Sequence, residues 1–252
     1  MSVVHANGIA MHTAQLVPTT GDPEPPTAVM IHGMAGDSLA SWYLTLAAPV
    51  GAAGLRVLMY DLRGHGRSER PPTGYALHDF VDDLHALLRK LDVRRPVHLL
   101  GNSFGGTIAF SYAIRHPDAV ASLTAVESAP PTTAWFQRIA LRLNTVHSVT
   151  NPGRRAAAAR AFVEATSVAR DLPASPLPGD QAIAAISCPV LCVYGGTSRM
   201  RDLTPQVRRL LPHAEVAVVP DVGHSLLITR PAAVRELVVP WLLHHTPKEA
   251  VS

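Results

Sequence analysis

Gly101-Asn102-Ser103-Phe104-Gly105-Gly106 is the stretch that decides the fold of this chain. The apolar run Pro96-Val97-His98-Leu99-Leu100 leads into it, and Thr107-Ile108-Ala109-Phe110-Ser111-Tyr112-Ala113 leads out with a helical pattern. Strand, sharp turn and helix around Gly-x-Ser-x-Gly lift a serine out of the backbone as a nucleophile. The glycines answer a steric demand. A serine at the tip of so tight a turn sits in strained backbone, and a Cβ two residues to either side would strike the neighbouring strand or helix. The helix that follows aims its free N–H groups at the place where negative charge would develop.

Outward from this turn, short apolar runs alternate with helical patterns. Val3 to Leu16 reads as a hairpin turning at Asn7-Gly8, a strong two-residue turn signal. Strands are expected at Thr27–Ile31, Leu55–Tyr60, Pro96–Leu100, Ala119–Val126, Pro189–Tyr194 and Glu215–Val219. Helices are expected at Ser41–Ala53, Asp79–Leu91, Thr204–Leu211 and Pro231–His245, the last two with proline near the start. This alternation implies an α/β fold, a mostly parallel central sheet with helices on both faces. Pro130 to Ile186 breaks the pattern, with a helical run from Arg154 to Val168 and a proline-rich stretch from Leu172 to Pro178. The reading is a core of residues 1–129 and 187–252, with 130–186 inserted as a small helical cap over the carboxyl edge of the sheet.

Composition narrows the function classes. Of the 252 residues, 47% are hydrophobic and 16% charged, enough for a large core. The 22 Lys and Arg against 19 Asp and Glu are spread along the chain, which speaks against a nucleic-acid partner. Arg154, Arg155 and Arg160 read as a solvated helix face. No apolar run reaches the roughly 18 residues of a membrane span, and the N-terminus lacks the basic and apolar regions of a secretory signal, so a cytoplasmic protein is expected. Cys188 and Cys192 are placed on one strand, where about 13 Å separates them; that is beyond disulfide reach, and they read as small core residues. No metal-ligand spacing or dinucleotide fingerprint occurs, so no metal or cofactor is expected. Oligomeric state is not legible.

Two further turns fall at the same edge of the sheet. His32-Gly33 ends the third strand, and the backbone N–H of Met34 just beyond it, with that of Phe104, would form an oxyanion hole. Asp221-Val222-Gly223-His224-Ser225 follows the last strand, which makes His224 the candidate base among 13 histidines. A serine hydroxyl needs such a base to take its proton.

Together these stretches, with Tyr60-Asp61-Leu62-Arg63-Gly64-His65-Gly66-Arg67-Ser68 between them, resemble the α/β-hydrolase fold superfamily over almost the whole chain. Within it the sequence is most similar to small bacterial esterases and carbon–carbon hydrolases. The resemblance implies a Ser–His–acid triad with Ser103 as nucleophile and His224 as base. Serine at the elbow argues against epoxide hydrolases and dehalogenases, which use a carboxylate there. Asp61 is expected to brace its loop rather than to react. The superfamily's acid commonly follows the strand that here ends at Tyr194, but Gly195-Gly196-Thr197-Ser198-Arg199 puts Ser198 at that place, and a neutral hydroxyl cannot stabilise an imidazolium as a carboxylate does. Three readings stay open: Glu127 after the preceding strand, Asp202 four residues beyond Ser198 (otherwise a helix N-cap), or no acid at all. The expected activity is hydrolysis of an ester, thioester or related carbonyl compound of medium size and apolar character. Gly33, Trp135 and Phe136 would line its pocket, and the small-molecule substrate is the only partner expected. The alternative is a lyase or cyclase using the Ser–His pair for elimination or ring closure, an idea prompted by the missing aspartate.

Overall fold

Asn7 and Gly8 both adopt positive φ, 50° and 75°, and join β1 (Ser2–Ala6) to β2 (Ile9–Leu16) in the two-residue turn their sequence prescribes. The hairpin is the antiparallel margin of an eight-stranded sheet of order β1-β2-β4-β3-β5-β6-β7-β8. From β4 onward all neighbours are parallel: β3 (Thr27–Ile31), β4 (Arg56–Tyr60), β5 (Val97–Asn102), β6 (Val120–Val126), β7 (Val190–Gly195) and β8 (Glu215–Val219). The structure is a computed structural model and describes residues 1–19, 22, 24–148 and 153–246. Parts of two expected regions therefore lie outside the described residues: Gly21 and Pro23 of the proline-rich loop, and 149–152 of the expected cap. So do 247–252 of the expected core.

The helices are α1 (Ala40–Trp42), α2 (Ala48–Ala52), α3 (Leu77–Lys90), α4 (Phe104–Arg115), α5 (Thr133–Asn144), α6 (Arg154–Ala165), α7 (Val168–Asp171), α8 (Asp180–Ala184), α9 (Thr204–Leu210), α10 (Leu226–Thr229) and α11 (Pro231–His245). α3 forms because Leu77, Phe80, Leu84, Leu87 and Leu88 recur on one face, all buried, and because Asp79 Oδ2 accepts the Ala76 N–H at 2.8 Å before the first turn. The helix expected at 41–53 is instead three pieces, α1 and α2 joined by a π-helical turn over Tyr43–Ala47. A further difference concerns Cys188, which precedes β7 rather than sharing the strand with Cys192; both thiols are free and buried.

Both faces of the sheet are covered, so the central strands carry almost no polar face. The parity of β3 makes this concrete: Val29 and Ile31 belong to a core with α3, α4 and the helical segment between β6 and β7, whereas Ala28 and Met30 belong to a core with α1, α2, α10 and α11. β7 divides likewise, Cys192 and Tyr194 to one side and Leu191 and Val193 to the other. Every parallel strand ends at the same edge, where the loops after β3, β5, β6, β7 and β8 gather.

Candidate active site

Ser103 follows β5 with φ 52° and ψ −119°, a region L-residues rarely adopt, and α4 starts at the next residue. Two glycines make the turn possible. A Cβ on Gly101 would come within 2.3 Å of the Gly106 backbone, and one on Gly105 within 2.2 Å of the Ile31 carbonyl. The steric reading of the motif thus holds atom by atom.

His224 stands on the loop after β8, its Nε2 3.1 Å from Ser103 Oγ and its Nδ1 2.9 Å from Glu127 Oε2. With Nδ1 facing a carboxylate the ring proton belongs there, which leaves Nε2 free to accept the serine hydroxyl proton. Glu127 follows β6 with φ 52°, and this left-handed kink turns its side chain back under the histidine. It is fully buried. Its Oε1 accepts the Gly195 N–H at 2.5 Å, and its Oε2 accepts the Ser198 hydroxyl as well as the His224 ring N–H. A buried carboxylate with donors on both oxygens is satisfied as an anion. Backbone bonds lock the strand ends to each other: Ser103 N–H to the Val126 carbonyl and Glu127 N–H to the Val193 carbonyl, both 2.9 Å.

Asp202 lies apart from this chain of bonds. It is inside a 3-10 turn over Arg199–Leu203, is exposed, and its carboxylate is 3.6 Å from the Arg138 guanidinium. It is not the expected N-cap either. Ser198 caps that turn, accepting the Met200 N–H at 3.1 Å. Trp135 and Phe136 on α5 are both buried, and the Trp135 indole N–H donates to Thr107 Oγ1, one turn into α4, at 2.6 Å. Phe104 is buried with its ring edge-on to Phe80, centroids 5.0 Å apart.

Gly33 faces the serine closely: a Cβ there would sit 3.4 Å from Ser103 Cβ and 3.1 Å from Asp37 Oδ2. That carboxylate accepts the Gly33 N–H at 2.9 Å, and its other oxygen pairs with Arg155 of α6 at 3.7 Å. The loop holding Gly33 and Met34 is also gripped by two buried neutral histidines. His32 Nε2 accepts the Leu62 N–H and His65 Nε2 accepts the Ala35 N–H, each at 3.0 Å. Their other ring nitrogens face the carbonyls of Gly33 and Arg63. Burial lowers the His32 pKa, and burial plus the neighbouring His32 drives His65 down to about 3, so both act as acceptors at neutral pH. Asp61 braces as expected, accepting the N–H groups of Leu39 and Arg67 and the His12 ring N–H. Sequence reasoning passed over Asp37 and His65 as parts of this framework. Ser198 drew notice only for the charge it lacks. Among the described residues no group of His, Cys, Asp and Glu is arranged to hold a metal ion.

Residues 26–146 match the family described as the alpha/beta hydrolase fold. Over 97% of this chain and 98% of the other, the structure superposes on a carboxylesterase of the thaumarchaeon Nitrososphaera gargenis with a TM-score of 0.78 at 21% identity. The chain has the α/β-hydrolase fold. Its esterase-like neighbours among α/β-hydrolases include the enol-lactonase of Burkholderia xenovorans, with a TM-score of 0.74 and 20% identity over 96% of this chain and all of that one. In sequence it is similar to the 2-hydroxymuconate semialdehyde hydrolase of a Pseudomonas species, 40% identical over 103 residues that span 40% of this chain and 36% of the relative. The matches cover 18% to 63% of the length of the curated relatives. Among the described residues no helix of this α/β-hydrolase is long and apolar enough to cross a membrane.

Proposed function

We propose that this α/β-hydrolase cleaves an ester, thioester or related activated carbonyl compound through an acyl-enzyme on Ser103. The observation that carries the reading is the unbroken line of hydrogen bonds from Ser103 Oγ through the His224 ring to Glu127, 3.1 Å and 2.9 Å. His224 Nε2 takes the hydroxyl proton as Oγ attacks the carbonyl carbon, and returns it to the leaving group as the tetrahedral adduct collapses. Glu127 keeps the reactive tautomer and stabilises the imidazolium that forms between those steps. The N–H groups of Met34 and Phe104 receive the oxyanion, and water activated by the same histidine releases the acyl group. The site takes a small-molecule substrate. Its apolar character is drawn from Trp135 and Phe136 near α4.

Residues 130–186 act as the cap in this reading, and several contacts support it. The Phe162 ring lies 4.4 Å from that of His65, the Ser167 N–H donates to the Pro72 carbonyl at 2.9 Å, and Ser175 Oγ accepts the Leu77 N–H at 2.8 Å. The lyase alternative was prompted by the missing aspartate, and Glu127 beside His224 supports the hydrolytic reading instead. The test is intact-mass spectrometry after exposure to a fluorophosphonate. One adduct on the wild type and none on Ser103→Ala supports the mechanism, and a folded wild type that stays unlabelled overturns it.

A further inference from the structure

We infer that Ser198 is a positioning residue of the reaction, holding the Glu127–His224 pair in register through the outer carboxylate oxygen. This rests on the triad reading above. Ser198 is 7% exposed and sits on a turn tied from both sides. The Ser198 N–H donates to the Gly195 carbonyl at 3.1 Å, while Gly196 N–H and Thr197 N–H donate to the Val219 and Val222 carbonyls at 2.7 and 3.0 Å. Its hydroxyl oxygen already accepts the Met200 N–H, so its single proton is aimed at Glu127 Oε2.

That bond matters because of what else holds the carboxylate. A glutamate has three side-chain torsions. Here Oε1 is fixed by the Gly195 N–H alone, and Oε2 by His224 and Ser198. His224 is 35% exposed on its side chain and hangs from a loop, so it gives Oε2 no rigid anchor. Ser198 is the link between that oxygen and the sheet. Without it, Glu127 pivots about the Gly195 contact and the acid and base drift together, away from the line to Ser103. A one-ångström misplacement of catalytic groups is felt in the chemical step. Of the three triad groups Ser198 bonds to the acid alone, so the loss falls on kcat and leaves KM where it was.

The experiment compares wild type, Ser198→Ala, Ser198→Thr, Ser198→Cys and Glu127→Gln in steady-state hydrolysis of p-nitrophenyl butyrate. Proton NMR of the far-downfield His224 Nδ1–H resonance accompanies it. Loss of one hydrogen bond to a charged acceptor predicts about tenfold lower kcat for Ser198→Ala, with KM within about twofold. The His224 resonance broadens in the same variant. Threonine keeps the hydroxyl, and the extended backbone at 198, φ −76° and ψ 136°, suits a β-branched residue, so Ser198→Thr restores both kcat and the sharp resonance. Should Ser198→Ala not fold, Ser198→Cys replaces the hydroxyl with a weak donor and is expected to show the same loss. Equal impairment of the threonine and alanine variants overturns the inference in favour of packing. Wild-type kcat in Ser198→Ala alongside a crippled Glu127→Gln overturns it while the triad stands. Full activity in Glu127→Gln removes the triad reading and the inference with it.

Discussion

Glu127→Gln separates the charge of the acid from its shape. The amide fills the same buried space, but the site offers donors on every side: Gly195 N–H on one oxygen, Ser198 O–H and His224 N–H on the other. If the amide oxygen stays on Gly195, the new NH2 group meets the His224 Nδ1–H head-on. Relief comes when the imidazole moves its proton to Nε2, where it points at Ser103 and can no longer accept. The charge term can be sized as well. A carboxylate and an imidazolium with centres roughly 4 Å apart attract by about 4 kcal/mol at an effective dielectric near 20, which is about 1,000-fold in rate. His224 is 35% exposed, and screening by water moves the expectation to about 100- to 1,000-fold. The assay is kcat/KM for p-nitrophenyl butyrate, paired with the fluorophosphonate labelling rate of Ser103, with Asp202→Asn as the comparison. Asp202→Asn should match the wild type. A Glu127→Gln enzyme within about fivefold of wild type would refute both the tautomer argument and the electrostatic one.

Three other outcomes follow from the same geometry. Gly105→Ala puts a methyl 2.2 Å from the Ile31 carbonyl and 2.6 Å from that of His32, both backbone atoms without rotamer freedom; overpacking here should cost about 3 kcal/mol, or a melting point lower by about 10 °C, and an unchanged melt would show that the elbow yields. His65 titrates near 6.5 when unfolded but near 3 when folded, so between those values the unfolded chain binds the extra proton and stability falls as pH falls. Denaturant unfolding should lose on the order of 2 kcal/mol from this residue between pH 7 and pH 5, and a His65→Gln variant with the same pH slope as wild type would contradict it. Arg63 grips the buried Asp83 with two bonds of 2.6 and 2.5 Å; Arg63→Ala should destabilise by about 3–5 kcal/mol by stranding that carboxylate, whereas Arg63→Met with Asp83→Leu recovers much of the loss, and a double variant as unstable as the single one would count against this account.

What the sequence made legible was local. The elbow at Ser103 and the turn at Asn7-Gly8 are written in glycines whose steric roles need only near neighbours to be understood. The parallel sheet followed from apolar runs alternating with helical ones, and α11 starts at Pro231 as its signal indicated. The acid stayed open among Glu127, Asp202 and none at all, because the surroundings of Glu127 depend on two strand ends that meet only in the sheet. Nothing within a few residues of Glu127 announces that the end of β7 will supply an N–H to it and the following turn a hydroxyl. Asp37 and His65 were hidden for the same reason, since their partners at Gly33 and Ala35 belong to a loop whose path is set by tertiary contacts. The π-helical turn inside the 41–53 helix is marked in the sequence by Pro49, two residues beyond it, whose missing N–H interrupts the α-helical ladder, and Cys188 was misplaced because the strand begins only after Pro189.

Ser103 and Glu127 stand at the ends of neighbouring strands whose backbones are bonded across the sheet, Ser103 N–H to Val126 and Glu127 N–H to Val193. The spacing of two of the three groups is therefore a property of the sheet itself, among the last parts of a protein to loosen. His224 has no such footing. It rides on a short connection after β8, joined to the turn after β7 by the bond from Thr197 N–H to the Val222 carbonyl. The expected outcome on warming is that the histidine leaves first and returns on cooling, so that activity fades reversibly at temperatures where circular dichroism still reports an intact sheet. Extending this protein's working range is then a matter of stiffening the residues around 220–225, and further reinforcement of the core would raise the melting point without prolonging activity.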